Sequence, residues 1–220
     1  MSTLLGHADG GSDFAVCPPE AANDGSTLVE VRLLRDDRAV VDQFLAGIVD
    51  LDRQGGMMLG KRSSQHRVRL QTQSGSVGGP LVSLLEARSW HDLFSTAAPL
   101  QRFTLHFESP TFWRSGKRQL LMPLPASVLR SLQQRWASYA SDLAPQLRIR
   151  SEMTVTSFRG ETVAVRMSSE RWTGFVGEVQ YELEHPTEHD VETLGKLMSA
   201  AHFTGVGSMV AYGFGVVAVE

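Results

Sequence analysis

The chain has 220 residues, a formal net charge of -3 and an apolar fraction of 42%, which predict a folded protein of one large or two small domains and exclude a disordered one. No apolar run approaches the about 20 residues that span a bilayer, and the N-terminus shows no basic, apolar leader, so we expect a cytoplasmic protein with no membrane partner. The single cysteine, Cys17, excludes an internal disulfide.

The charges are unevenly distributed along the chain. Acidic residues crowd between Glu178 and Glu192, whereas basic residues form one group from Lys61 to Arg69 and another from Arg114 to Arg135. A mildly acidic total argues against a uniformly basic nucleic-acid binder. It is compatible with a nucleic-acid site confined to one surface, or with two ordinary solvated faces.

The first part of the chain predicts an incomplete domain over residues 1–98. Residues 1–26 have no apolar period and indicate an irregular lead-in, anchored by Phe14 to Val16. The predicted elements that follow are a strand at 28–34, a helix at 38–52, a strand with a basic face at 66–71, and a weakly helical or extended stretch at 81–91. Ala97-Ala98-Pro99 is the predicted link to the next domain.

The second part, residues 99–220, predicts a complete domain. Its predicted strands cover 102–107, 147–158, 161–167, 175–183 and 216–219; its predicted helices cover 126–139 and 188–201; its predicted turns are Arg159-Gly160 and Thr173-Gly174. The order strand, helix, strands, helix, strand is that of a ferredoxin-like fold with an extra strand. We therefore expect an α+β protein of tandem ferredoxin-like (RRM-like) domains, the first one reduced or incomplete.

A glycine-rich loop lies between the last predicted helix and the last strand. Gly205, Gly207, Gly213 and Gly215 give the backbone freedom to adopt positive φ and to approach another chain segment closely. Consecutive exposed N–H groups in such a loop, including that of Ser208, suit a phosphate, although a β-bulge followed by a tight turn explains the same glycines. The loop itself contains no lysine or arginine.

Three signatures carry a resemblance to a known family. The first is the terminal loop with its Gly213-Phe214-Gly215. The second is the segment Phe107-x-Ser109-Pro110-Thr111-Phe112, followed by Pro123-x-Pro125 and a helix ending in Arg135-Trp136. The third is Gly174-Phe175-Val176-Gly177 at a strand start. Over about residues 100 to 220, where these signatures occur in the family's order, the chain resembles the CRISPR-associated repeat-processing endoribonucleases of the RAMP superfamily.

The resemblance implies a function. Such proteins bind the repeat hairpin of precursor CRISPR RNA and cut it without a metal or cofactor, by attack of a 2′-hydroxyl on the neighbouring phosphate. The product often stays bound and joins other CRISPR-associated proteins in an effector complex. The family's first domain normally opens with a strand and a helix that bring a catalytic histidine, and this chain is expected to begin after them.

Candidate site residues follow from charge and position. His66, between basic residues on a predicted strand, is the candidate catalytic base, with a partly buried structural histidine as the alternative. No metal site is expected, because His185 and His189 flank a predicted turn and helix cap. The candidate RNA-binding residues are Gly205, Gly207, Gly213, Gly215, Ser208, His202, Lys61, Arg62, Arg67, Arg114, Lys117, Arg118, Arg166 and Arg171.

Two other functions remain open from sequence. The missing strand-helix unit favours a non-catalytic RNA-binding subunit of a CRISPR ribonucleoprotein complex. A ferredoxin-like small-molecule or regulatory domain with no RNA role is the third possibility, because fold alone does not determine function.

Overall fold

The structure is a computed structural model that describes residues 14–18, 20–21, 27–28, 30–34, 46, 88–116, 118–167 and 169–220. Its strands are β1 (Phe14–Val16), β2 (Glu20–Ala21), β3 (Thr27–Leu28), β4 (Val31–Leu33), β5 (Arg102–Thr111), β6 (Trp113–Ser115), β7 (Arg118–Leu120), β8 (Met153–Met167), β9 (Glu170–Leu183) and β10 (Val217–Val219). Its helices are α1 (Trp90–Thr96), α2 (Pro125–Tyr139), α3 (Glu188–Ser199) and α4 (Ala201–Thr204), with 3-10 turns at Ala144–Gln146 and Val210–Tyr212.

The second domain is built on one four-stranded antiparallel sheet. The strands lie in the order β10, β5, β9, β8, and the chain visits them as β5, α2, β8, β9, α3, β10. This connectivity is the ferredoxin-like one, so the predicted α+β fold class is confirmed for this domain. The predicted helix at 38–52, apart from Ala46, and the predicted strand at 66–71 lie outside the described residues.

The core lies between the sheet and helices α2 and α3. Alternate residues of β5 and β9 point into it, and Phe103 stacks on Tyr181 with ring centroids 5.1 Å apart. The buried apolar side chains of the two helices are Val128, Leu132 and Trp136 on α2 and Leu194, Leu197 and Met198 on α3. No helix in the described part of the chain is long and apolar enough to cross a membrane.

Two glycines predicted as turns lie inside strands. β8 and β9 run without a turn through Gly160 and Gly174, so the predicted break into three strands is wrong. A Cβ at Gly160 would lie 2.4 Å from the ring of Phe175, and one at Gly174 would lie 2.6 Å from the backbone of Pro110. These glycines give clearance to a ring and to a neighbouring strand, which single-sequence patterns do not distinguish from turns.

Helix α1 was not predicted, although its start carries a capping signal. Ser89 and Asp92 form a capping box in which the Ser89 hydroxyl accepts the Asp92 N–H at 3.0 Å. The Nε1 of Trp90 donates to the carbonyl of Leu34 at 3.2 Å, which ties the N-terminal strands to α1, and the Trp90 ring packs against Trp136 of α2. The predicted anchor at Phe14 to Val16 is strand β1, which pairs antiparallel with β4.

Candidate RNA-binding face

The glycine loop connects α4 to β10 and folds back onto the end of β5. All four of its predicted glycines have positive φ. A Cβ on Gly215 would lie 1.9 Å from the carbonyl oxygen of Val206, and one on Gly207 would lie 2.6 Å from that of Phe112. Positive φ and close backbone approach are therefore the reason for glycine at these positions.

The N–H groups of this loop already have acceptors within the protein. Gly205 donates to Ala201 O (2.9 Å), Gly207 to Ser131 Oγ (2.8 Å), Ser208 to Phe112 O (2.9 Å), Gly213 to Val210 O (3.2 Å) and Gly215 to Pro110 O (3.2 Å). The sequence-based mechanism, in which these five N–H groups hold a phosphate, is corrected accordingly. These five donors are used to close the loop, so they are not free to hold an anion.

Arg114 supplies a cation at the loop. It lies on β6, where its Nη2 is 3.6 Å from the Sδ of Met209 in the loop. Its guanidinium carbon is also 5.0 Å from the centroid of the Trp172 ring on β9, a cation-π distance. Arg114 thus joins three segments, namely the β6–β7 hairpin, the glycine loop and the long β8–β9 hairpin, on one surface.

The β8–β9 hairpin carries further cations toward its tip. Arg166 and Arg171 are exposed and directly opposite each other in the register. Like charges that face each other across strands destabilise a hairpin, and no described carboxylate forms an ion pair with either arginine. Such a pair is stabilised when an anion binds between or beside the two groups.

The remaining predicted residues are dispersed. Arg118 is exposed at the start of β7, near Arg114 in the same hairpin. His202 is exposed on α4 and lines a cavity of about 330 Å³ together with Ala97, Gly195 and Ala218. His66, Lys61, Arg62, Arg67 and Lys117 lie outside the described residues, so their roles stay predictions.

The opposite face of the sheet has a different charge. Away from the helices, His106 lies between Glu178 (Nδ1 to Oε1, 3.5 Å) and Glu220 (Nε2 to Oε2, 3.0 Å). On the same face, Arg102 pairs with Glu182 at 2.6 Å. These carboxylates repel phosphate, and the arginine is already neutralised. Among the described residues, Arg114, Arg166 and Arg171 have no carboxylate partner, which makes them the candidates for contact with an anion. Arg171 and Trp172 are adjacent on β9 and project to opposite sides of the hairpin, so Arg166 and Arg171 lie on the other side of it from the ring that Arg114 contacts.

Comparison with known proteins identifies the family. The family model of the CRISPR-associated endoribonuclease Cas6 matches residues 105–217, slightly more than half of the chain. The chain belongs to the Cas6 family. The matched segment begins within β5 and ends at β10, so it contains the glycine loop and both hairpins of the candidate face.

Solved Cas6 structures resemble the chain over most of its length. A Cas6 substrate mimic complex is similar at 27% identity and a TM-score of 0.68, covering 94% of this chain and 85% of that one. A product complex of the same Cas6 protein is similar at 25% identity and a TM-score of 0.68, covering 97% and 84%. A Thermus thermophilus Cas6 at 23% identity shares the fold, with a TM-score of 0.66 and coverage of 94% and 79%. No curated protein matches the chain in sequence.

These matches confirm the tandem ferredoxin-like organisation of the Cas6 family for this chain. The boundary between domains near residue 98 stays a prediction. Helix α3 contacts the predicted link closely, because a Cβ on Gly195 would lie 1.9 Å from the carbonyl oxygen of Ala98.

Metal-dependent and thiol-based chemistry find little support in the described residues. They contain no group of three or more His, Cys, Asp or Glu side chains that could hold a metal ion. Cys17 is buried, and this burial raises the pKa of its thiol to about 12, so the reactive thiolate is suppressed.

Sequence reasoning missed Trp172 and Ser131, and it named Arg135 only within a basic group and a family signature. In the structure Trp172 contacts Arg114, and Ser131 and Arg135 both contact Gly207. The helix spacing of Ser131 and Arg135, four residues apart, places them on one side of α2. That spacing alone does not reveal that the glycine loop lies against them.

Proposed function

We propose that this Cas6-family chain binds the repeat hairpin of CRISPR RNA on the surface around the glycine loop and the β8–β9 hairpin, here called the arginine face, with contacts from Arg114, Arg166 and Arg171. The observation that carries the proposal is the position of Arg114, which contacts both Met209 of the glycine loop and Trp172 of the β8–β9 hairpin. Family membership and the likeness to product and substrate mimic complexes of Cas6 support it.

The chemistry of this face fits structured RNA. A-form RNA presents phosphates and 2′-hydroxyls in regular positions, and its bases are poorly accessible in the deep groove. Arginine forms bidentate contacts with phosphate, and a β-hairpin that carries two facing arginines can follow a groove of the duplex. The face therefore recognises the shape and charge of a hairpin more than its sequence.

The proposed reaction is endonucleolytic processing of precursor CRISPR RNA without a metal. A general base removes the proton from the 2′-hydroxyl next to the scissile bond, the resulting oxygen attacks the phosphorus, and the 5′-oxygen leaves with a proton from a general acid. The products are a 2′,3′-cyclic phosphate and a 5′-hydroxyl. His66 is the proposed base, and arginines of the face stabilise charge that develops on the phosphate.

Further steps are part of the same proposal. The processed RNA stays bound because the hairpin contacts are unchanged by the cut, and the chain then joins other CRISPR-associated proteins in an effector complex. Both steps take place in the cytoplasm.

RNA binding is tested by the salt dependence of hairpin affinity. A fluorescent repeat hairpin is titrated with the protein between about 50 and 200 mM salt, and the slope of log affinity against log salt counts phosphate contacts at about 0.7 to 0.9 each. The double variant R166Q/R171Q should lower the slope by about 1.5 and weaken binding more than tenfold in low salt.

A matched control removes the same charge elsewhere. Arg148 and Arg150 are exposed near the start of α3, at the far end of that helix from the glycine loop, so R148Q/R150Q changes the net charge equally. It should leave the slope close to that of the unsubstituted protein. Equal effects of the two double variants would contradict the proposed face, and no salt-dependent binding by the unsubstituted protein would overturn RNA binding altogether.

A non-catalytic RNA-binding role is the second candidate. Three described histidines have partners other than the arginines of the proposed site: His91 contacts Asp142, His106 contacts Glu178 and Glu220, and His189 contacts Thr193. Incubation with hairpin RNA in EDTA separates the two roles. A single cut that leaves a cyclic phosphate supports the nuclease, whereas tight binding to an intact strand supports the scaffold.

A further inference from the structure

Two side chains of helix α2 form hydrogen bonds with the backbone N–H and the backbone carbonyl of Gly207 in the glycine loop. The N–H of Gly207 donates to Ser131 Oγ at 2.8 Å, and the carbonyl of Gly207 accepts from Arg135 Nη2 at 3.2 Å. Ser131 and Arg135 are four residues apart, so their side chains project from the same side of the helix. The loop is thereby clamped at Gly207, directly before the turn at 208–211.

Arg135 is an unusual residue for a structural clamp. Its guanidinium is largely buried, its Nε is buried and has no hydrogen-bond partner, and no described carboxylate forms an ion pair with it. Burial lowers the pKa of the guanidinium, and the side chain of Tyr139 is its other polar contact. A buried cation without a counter-ion costs stability, so a neutral side chain would serve better if only packing were needed.

The charge of Arg135 compensates for what the loop lacks. Residues 208–211 are Ser-Met-Val-Ala and contain no cation, and the N–H groups of Gly207 and Ser208 already have acceptors. Arg135 lies beneath this turn and Arg114 contacts it through Met209, so two guanidinium groups approach the same loop from different elements. Because Arg135 is largely buried, its field at the loop surface is screened less than that of a fully solvated arginine.

We propose that Arg135 is a positioning residue for RNA: it fixes the glycine loop through Gly207 and supplies from below the positive charge that draws an RNA phosphate onto the turn at 208–211. This inference rests on the proposed RNA-binding function and adds a residue on α2 to it. Ser131 completes the clamp by holding the N–H of the same glycine.

The test compares two arginine-to-glutamine changes on one helix. R135Q removes the buried charge, whereas R130Q removes an exposed charge of α2 and serves as the matched control. Hairpin affinity is measured across a salt series, and the melting temperature of each variant is measured separately. R135Q should weaken binding about tenfold and lower the salt slope by about 0.7, whereas R130Q should change the affinity by less than about threefold.

Rescue by lysine separates charge from packing. R135K keeps the charge but loses the forked geometry, so its salt slope should equal that of the unsubstituted protein while its affinity falls by about threefold. A salt slope of R135Q equal to that of R130Q would overturn the inference. If R135Q does not fold, R135K decides: an unchanged slope supports the inference, and a lowered slope overturns it. Failure of the unsubstituted protein to bind would instead overturn the proposed function.

Discussion

The substitution G215A tests whether the loop glycines exist for backbone packing. Gly215 has a φ of 72°, and a Cβ there would lie 1.9 Å from the carbonyl oxygen of Val206. The N–H of Val206 donates to Gly215 O at 2.8 Å, so the two segments run side by side and the methyl group has no space. Val206 is fully buried and cannot move outward without opening the core.

The expected cost has two parts. A left-handed conformation costs alanine about 1 to 2 kcal/mol relative to glycine. Separating the two segments also leaves the buried N–H of Val206 without its acceptor, which costs about 1 to 3 kcal/mol. The sum is about 4 kcal/mol, which corresponds to a fall of about 10 °C in melting temperature for a chain of this size.

Gly116 provides the control for this prediction. It has a φ of 60°, but no atom lies within 4 Å of the position of its Cβ. G116A therefore carries the conformational cost alone and should lower the melting temperature by about 4 °C. Thermal unfolding followed by circular dichroism measures both variants. Equal melting temperatures, combined with lost RNA binding in G215A only, would refute the packing argument and restore a direct role of the loop in phosphate contact.

Three further predictions follow from named contacts. The R166Q/R171Q variant should melt at the same or a slightly higher temperature than the unsubstituted protein, because it removes the facing like charges; a marked loss of stability would contradict this. Y181F removes the buried hydrogen bond of its hydroxyl to Pro123 O (2.7 Å) and should cost about 1 to 2 kcal/mol in urea unfolding, whereas no change would show that this bond is dispensable. The Asp190 carboxylate accepts the Arg150 N–H and the Ser151 and Thr187 hydroxyls, which hold its pKa well below the ordinary value. The stability that it contributes is present above about pH 4 and is lost as the pH falls toward the folded-state pKa, so the difference in melting temperature between D190N and the unsubstituted protein should narrow below pH 4; a constant difference would contradict the argument.

The connectivity of the second domain could be predicted because its signals are local. Alternation along β5 and the apolar stripe of α2 follow directly from which faces are buried. The order of these elements along the chain then limits the topology to a ferredoxin-like sheet. The predicted helix at 188–201 corresponds to α3 and α4, which meet at Ala200.

The errors in the fold arise where a glycine serves a distant neighbour. Gly160 makes room for Phe175 and Gly174 for Pro110, and neither partner is close in sequence. The predicted end of β5 at 107 was likewise early, because the strand continues to Thr111 across an irregularity in its pairing with β9. In each of these cases tertiary packing outweighed the local propensity of the sequence.

The candidate site was only partly predictable. Positive φ in the glycine loop follows from its composition, but the acceptors of its N–H groups come from Phe112, Ser131 and Pro110, which only the folded chain brings together. Arg114 was predicted from its charge, and its contact with Met209 gives that prediction a geometry. Arg135 was recognised only as part of a basic group and a family signature, since its proximity to Gly207 depends on tertiary contact.

Cleavage of a repeat hairpin that lacks one 2′-hydroxyl tests the central claim most directly. The protein is incubated in EDTA with an all-ribose hairpin and with one that carries a 2′-deoxy sugar next to the scissile phosphate, and the products are analysed by gel and mass spectrometry. The proposed function predicts one cut with a 2′,3′-cyclic phosphate in the first hairpin, and an intact but tightly bound second hairpin. An intact all-ribose hairpin, or cutting of both, would contradict it.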